Sequence, residues 1–254
     1  MTGTRGMKIL GVYSIKGGVG KTSAAVNLAY LAAAESWRTL VWDLDPQGAA
    51  SFYFRIKPKI KGGGRGLLRG RRPIDDLIKG TDFELLDLLP ADFSYRNMDL
   101  LLEGGSGKPR RQIGRLLKPV RAEYDLVILD CPPSISLMSE SIFRAADALL
   151  VPVIPTTLSA RTLTQLREFL DGRDDHGKLK LLPFFSMVDR ERPLHAETMQ
   201  RLAEKHPAML TTPIPEAPEV ERMGLHRMPL PAYAPAEPAA GAYRALWSEL
   251  SAVL

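Results

Sequence analysis

The heptapeptide Lys16-Gly17-Gly18-Val19-Gly20-Lys21-Thr22 joins three glycines to two lysines and a hydroxyl. Glycines let backbone N–H groups close around phosphate oxygens, and a helix opening behind such a loop adds the positive end of its dipole. In that setting Lys21 supplies a point charge and the Thr22 hydroxyl a ligand for Mg²⁺. The strict phosphate-loop pattern G-x-x-x-x-G-K-[ST] is not met, because Ile15 stands where its first glycine belongs. An additional lysine, Lys16, stands at the loop's entrance instead. A glycine-rich turn with coincidental lysines is the alternative; an apolar strand before the loop and a helix after it weigh against that.

Carboxylates follow at two later points. Val41-Trp42-Asp43-Leu44-Asp45-Pro46-Gln47-Gly48 closes a second apolar run, and Leu126-Val127-Ile128-Leu129-Asp130-Cys131-Pro132-Pro133 a third. Acids at the C-terminal edge of parallel strands, beside a phosphate loop, can hold Mg²⁺ or orient a water. Alone, Asp43-Leu44-Asp45 before a proline also reads as a turn or helix cap, and four apolar residues ending in aspartate have the shape of a Walker B strand.

These residues need a scaffold, and the apolar pattern supplies one. Strand-like runs are Met7–Ile15, Thr39–Leu44, Phe83–Leu89, Leu126–Leu129, Ala148–Ile154 and Leu179–Val188. Helical stretches are Lys21–Ala34, Ser136–Ala146, Arg161–Leu170 and Leu194–Lys205. Near-continuous apolar strands alternating with helices predict a doubly wound α/β fold, a mostly parallel sheet with helices on both faces. With no repeat and no linker, residues 1–254 read as one domain. Tyr243, Leu246, Trp247, Leu250, Val253 and Leu254 recur at helical spacing and predict a terminal helix.

Two stretches stand apart. Arg55–Arg72 carries eight basic residues and no acidic one around Gly62-Gly63-Gly64, and predicts a mobile surface loop leading into a short helix. Pro207–Pro238 holds eight prolines and predicts mostly extended or turning chain.

Composition sets outer limits. The chain has 254 residues, 45% hydrophobic and 25% charged, which suits a globular fold able to bury a core without staples. One cysteine, Cys131, excludes a disulfide framework or a cysteine-cluster zinc site within one chain, and fits a reducing cytoplasm. No apolar run reaches membrane-span length, and Met1–Lys8 lacks a signal-peptide core. The net charge of +5 leans mildly toward polyanionic partners.

Taken together, KGGVGKT, VWDLDPQG beginning twenty residues after Lys21, and LVILDCPPS resemble the ParA/MinD group of deviant Walker ATPases, most nearly its ParA-type partition members. Leu67–Pro90, continued by Ala91, resembles the approach to the family's LLPA strand. Thr212–Leu230 resembles its late segment, and Gly241–Leu250 its terminal helix. The resemblance implies a P-loop NTPase fold and slow hydrolysis of MgATP, with Gly17, Gly18, Val19, Gly20, Lys21, Thr22 and Ser23 around the phosphates. Lys21 would bind the β- and γ-phosphates. Lys16 would be the signature lysine that reaches across an ATP-sandwiched homodimer, and a second cation there would stabilise transition-state charge. Asp45 would position the attacking water, with Thr22, Asp43 and Asp130 serving the metal. Late strand ends would put Met187, Asp189 and Pro215 near the adenine.

The same resemblance implies non-specific DNA binding by the ATP dimer and hydrolysis stimulated by a ParB-like or adaptor protein, in a cytoplasmic, nucleoid-associated switch that positions a cargo. Candidate DNA contacts are the basic loop Arg55–Arg72; Arg111, Arg115 and Lys118 on a helix spanning Lys108–Arg121; Arg190 with Arg192; and Arg222 with Arg227. An ordinary solvated helix face is the competing reading of the second set. Glu216, Glu219 and Glu221 stand where partition ATPases often carry arginines, so the charge would have to come from elsewhere.

Particular residues separate the chain from other members of the fold. A MinD-like membrane tail wants a basic amphipathic helix, whereas the terminal helix carries only Arg244 against Glu249, so no membrane anchor is expected. A DNA-independent scaffold remains open. Ligases of the same fold, such as dethiobiotin and cobyrinate synthetases, need a second polar constellation for their substrate, and none is evident. The nitrogenase iron protein needs two cysteines per subunit. Cys131 reads as a small buried residue, and His176, His195, His206 and His226 as scattered surface residues.

Overall fold

The first apolar run must stop being a strand before its glycines. In the computed structural model, which describes residues 6–104, 108–172 and 179–254, β1 covers Lys8–Val12, and the loop begins at Tyr13. The other strands are β2 (Thr39–Asp43), β3 (Lys79–Gly80), β4 (Leu86–Leu89), β5 (Leu126–Asp130), β6 (Ala148–Val153) and β7 (Lys180–Phe185). They form one sheet in the order β3-β4-β2-β5-β1-β6-β7, parallel except for the short edge strand β3, which the sequence did not reveal.

Alternation explains the apolar strands. Ile9, Leu40, Trp42, Val127 and Leu129 enter one core layer, while Leu10, Val12, Val41, Leu126 and Ile128 enter the other. Both faces are covered, so successive residues are apolar for opposite reasons. One layer is closed by α1 (Lys21–Ala34), α2 (Ala49–Tyr53) and, from late in the chain, α9 (Pro218–His226), α10 (Leu230–Tyr233) and α11 (Pro238–Val253). The other is closed by α3 (Gly63–Leu68), α4 (Met98–Glu103), α5 (Gln112–Leu117), α6 (Leu137–Ala145), α7 (Thr157–Asp171) and α8 (Pro193–Lys205).

Helix α1 is buried nearly all round, because it lies between the sheet and α11. The α11 stripe, including Tyr243, Leu246, Trp247 and Leu250, is spent in that contact. Caps account for two helix starts. The Thr156 side chain accepts from Ser159 N–H, so α7 begins ahead of the predicted Arg161, and Ser136 with Ser139 forms a capping box on α6.

Pro207–Pro238 is mostly extended or turning chain, and it also holds the short helices α9 and α10, since proline is tolerated in a helix's first turn, where Pro218 and Pro231 stand. Three expectations need correction. The predicted helix Lys108–Arg121 is a 3₁₀ turn, Pro109–Arg111, followed by the short α5, and Pro119 lacks the N–H to carry it further. The basic stretch Arg55–Arg72 is pinned rather than loose: Ile60 and Leu67 are buried, and the N–H groups of Ile60 and Gly64 donate to Asp92 Oδ2 and Ser94 Oγ. His195 and His206 are buried, not on the surface; each fills a packed position beside the start or end of α8. His176 lies outside the described residues.

Candidate active site

The loop after β1 works through its backbone. Gly18 and Gly20 have φ of +69° and +88°, left-handed values that glycine adopts without strain. A Cβ at Gly17 or Gly18 would meet nothing within 4 Å, so the loop's outer side is open to a ligand. At Gly20 a Cβ would stand 2.9 Å from Ser186 Oγ, which places the loop against the end of β7. Helix α1 starts at Lys21 with its first N–H groups facing the loop.

Lys21 is only 7% exposed and its Nζ donates to the Lys16 carbonyl at 3.3 Å. Burial lowers its pKa, opposed by the charges of Asp130 and Asp45. A bound phosphate would favour the ammonium form further. Lys16 leaves the loop in another direction: its Nζ lies 3.5 Å from Ser159 Oγ at the start of α7.

Two strand ends bring the acids together. Asp43 and Asp130 are register partners on β2 and β5, and both are fully buried. Asp43 Oδ2 accepts from both the amide and the hydroxyl of Ser51, each at 2.7 Å, leaving Oδ1 without a partner. Among the described residues, neither Asp130 oxygen has a partner at hydrogen-bond distance, the Thr22 hydroxyl being the near neighbour that favours its charge. Burial pushes the Asp43 carboxyl up to about 6. It drives Asp130 well above the usual range, with Asp43 adding and Thr22 and Lys21 opposing. Two facing carboxyls with unpartnered oxygens form a site that a hard cation would satisfy. Oxygen donors from Asp43, Asp130 and Thr22 suit Mg²⁺, which keeps its remaining positions for phosphate and water. Asp45 sits in the turn after β2, where its Oδ1 accepts from Gln47 N–H at 2.9 Å. It is partly exposed at the mouth of the site.

The residues expected near the base also converge. Val188 pairs with Pro215 in a parallel bridge just past β7, so Met187, Asp189 and Pro215 lie together beyond that strand. Met187 holds φ of +54°. The Asp189 N–H donates to His195 Nδ1 at 3.1 Å, so the buried histidine shapes this segment. Sequence reasoning missed His195, Ser51 and Ser159, because each acts only through a contact made by folding.

Basic residues gather elsewhere. A groove of about 860 Å³ is lined by Arg65, Arg69, Arg71, Lys108, Gln112 and Arg115, among others. A second, of about 630 Å³, is lined by Arg110, Arg111, Arg115, Lys118, Arg121 and Arg144. Arg115 belongs to both, and among the described residues no acidic side chain lines either. Arg190, Arg192 and Arg222 line neither. Arg192 is ion-paired with Asp189 at 2.8 Å, while Arg227 lies over the Phe52 ring. Cys131 is fully buried beside Asp130. Among the described residues, no helix is long and apolar enough to cross a membrane.

Known proteins resemble this chain in sequence and in fold. A family model described as an AAA domain matches residues 7–181. The chain is 36% identical over 165 residues to the chromosome partitioning protein ParA of Myxococcus xanthus, a match spanning 65% of this chain and 58% of that protein's length. It is 28% identical over 250 residues to the sporulation initiation inhibitor protein Soj of Bacillus subtilis, spanning 96% of this chain and 98% of Soj. Among solved structures, cobyrinic acid a,c-diamide synthase from Mycobacterium smegmatis, with bound ADP and magnesium, superposes with a TM-score of 0.83 at 25% identity, over 96% of this chain and 94% of that one. An ATP complex of Cyanothece McdA shares the fold at a TM-score of 0.84 and 22% identity, over 98% of each chain. With its altered phosphate loop, entrance lysine and paired strand-end acids, the chain belongs to this AAA-domain family, within the ParA/MinD group of deviant Walker ATPases.

Proposed function

We propose that the chain is a single-domain MgATP-dependent dimerisation switch of the ParA type, which binds DNA without sequence preference and positions or segregates a cargo. The observation that carries the ATPase part is the meeting of an open glycine loop, a buried lysine and two unpartnered acids at the ends of β1, β2 and β5. Lys21 neutralises the β- and γ-phosphates, and the loop amides, with Ser23 at the start of α1, orient them. Thr22, Asp43 and Asp130 are placed to hold Mg²⁺, which when bound would neutralise phosphate charge. Asp45, at the mouth, holds the attacking water in line.

Lys16 serves the dimer. On this chain its ammonium rests near Ser159, not over its own loop, so it is available to a facing copy. Carried across, it would add a second cation where transition-state charge collects and so couple turnover to dimerisation. Met187, Asp189 and Pro215 close around the base.

The two basic grooves support the DNA part, since phosphate contacts need clustered positive charge and no base code. Arg111, Arg115 and Lys118, with Arg65, Arg69 and Arg71, are the preferred contacts; Arg190, Arg192 and Arg222 are secondary. A ParB-like or adaptor protein would reset the switch in a cytoplasmic, nucleoid-associated cycle. The test is binding of the Asp45→Ala protein to random duplex DNA with ATP and with ADP at two salt concentrations. ATP-dependent, salt-sensitive binding is expected, and an ATP dimer that ignores DNA would refute the DNA part.

The likeness to the diamide synthase favours a second reading, an ATP-dependent ligase. Turnover would then depend on a carboxylic-acid substrate instead of DNA or an adaptor. The buried stripe of α11 speaks against a third, MinD-like reading, because the apolar face a membrane would need is already used in the core.

A further inference from the structure

The helix carrying Ser51 is tied to a distant helix by two arginines that each adopt a backbone conformation better suited to glycine. Helix α2 ends in a Schellman motif: Arg55 N–H donates to the Phe52 carbonyl at 3.1 Å and Ile56 N–H to the Ser51 carbonyl at 2.9 Å. The residue in the left-handed position is Arg55, at φ of +60°. Helix α9 ends on Arg227, at φ of +52°, whose N–H donates to the Met223 carbonyl at 2.7 Å. Glycine is the usual residue at such ends, and an L side chain there costs free energy that glycine avoids.

What the side chains do explains why arginine stands at both. Arg55 Nη2 donates to the carbonyl of His226, the last residue of α9, at 3.2 Å. Arg227 Nε donates to the carbonyl of Phe52 in α2, also at 3.2 Å. Each helix's arginine therefore caps the other helix, and each cation sits at a negative helix end. The Arg227 guanidinium also lies 4.6 Å from the centroid of the Phe52 ring. Arg55 completes the group with an ion pair to Asp82 at 3.4 Å.

Both ends of this clasp lead to the nucleotide site. On one side, Ser51 of α2 holds Asp43 through two hydrogen bonds, and Gly48, which caps α2, donates to the Asp45 carbonyl at 2.9 Å. On the other, Met223 of α9 is buried and its Sδ accepts from Asn27 Nδ2 of α1, the helix behind the phosphate loop, at 3.4 Å. Asn27 Oδ1 in turn accepts from Leu230 N–H at 2.7 Å. We infer that Arg55 and Arg227 are positioning residues for hydrolysis: their reciprocal clasp registers α2, and through it Asp43 and Asp45, against the phosphate-loop helix. The inference rests on the ATPase reading of the site. Neither arginine belongs to the phosphate loop or the paired acids; both act through α2.

Arg55→Gly and Arg227→Gly, singly and together, separate this role from a merely structural one, because glycine relieves the backbone while deleting the guanidinium. The melting temperature should hold or rise and ATP affinity should stay within about twofold, while kcat falls about tenfold, the scale of a small misplacement of reacting groups. In the nucleotide-free proteins, amide hydrogen exchange should quicken in Ala49–Tyr53. Unchanged kcat and unchanged exchange would overturn the inference, as would a loss of kcat that merely follows a lowered melting temperature. Should Asp45→Ala leave wild-type turnover intact, the hydrolytic reading itself fails, whereas the exchange data still judge the clasp.

Discussion

Replacing Asp130 with asparagine should stabilise the nucleotide-free protein while removing most of its response to magnesium. Asp130 is fully buried, both of its oxygens lack partners at hydrogen-bond distance among the described residues, and Asp43 faces it in register. A buried polar group left without a partner costs about 1–3 kcal/mol, and repulsion between the carboxylates adds to that. Asparagine keeps the shape, removes the charge and can donate to the free Asp43 Oδ1. The expected gain near neutral pH is about 1–3 kcal/mol, or roughly 3–10 °C in melting temperature for a chain of this size. Its pH dependence follows from burial and Asp43, which raise the folded-state pKa of Asp130. A carboxyl whose pKa is raised on folding costs stability wherever the unfolded chain has ionised, because the unfolded state sheds the proton first. The gain should therefore vanish below about pH 4, where folded and unfolded states both hold the proton, grow as pH rises from there toward the folded value, and level off above it. Thermal unfolding from pH 4 to 8 with EDTA measures this; repeating it with ADP and Mg²⁺ should raise the melting point of the wild type much more than that of the variant. A variant less stable than wild type at every pH, or a difference that does not change with pH, would refute this account of the paired acids.

Further outcomes are expected at neighbouring residues. Lys21→Ala should abolish ATP binding in calorimetry, and an unchanged affinity would remove Lys21 from the phosphate site. Asp45→Ala should keep ATP affinity and lose turnover, which a phosphate-release assay checks. Charge reversal at Arg111, Arg115 and Lys118 should weaken DNA binding and flatten its salt dependence by about 0.9 per lost phosphate contact; an unmoved slope would make that face an ordinary solvated surface. Ser51→Ala should cost about 1–3 kcal/mol on chemical denaturation, because both Asp43 Oδ2 and the Ala91 N–H lose the Ser51 hydroxyl.

Local chemistry was readable along the chain wherever one residue's role depends on its immediate neighbours. Gly18 and Gly20 need positive φ whatever surrounds them, and Lys21 with Thr22 follow them into the helix. Apolar runs ending in Asp43 and Asp130 announced buried strands whose acids emerge at one edge, and the alternation of strands with helices implied a parallel sheet. Two short helices inside the proline-rich stretch went unseen, and histidine was misread, because both residue types change meaning with position. Pro218 and Pro231 stand in first helical turns, where a missing N–H does no harm, and His195 is buried because the Asp189 N–H donates to it.

Contacts between distant segments were decided only by the fold. Nothing in the order of residues says that Asp43 would face Asp130, that Ser51 would hold one of them, or that Lys16 would rest near Ser159. The two basic stretches, Arg65–Arg71 and Lys108–Lys118, become neighbouring grooves only because α3, α4 and α5 cover the same face of the sheet. The clasp of Arg55 and Arg227 joins residues more than 170 positions apart. Backbone preference and burial period are short-range properties that each segment carries with it; the partner of a buried polar group is chosen by packing, and packing exists only once the sheet has closed.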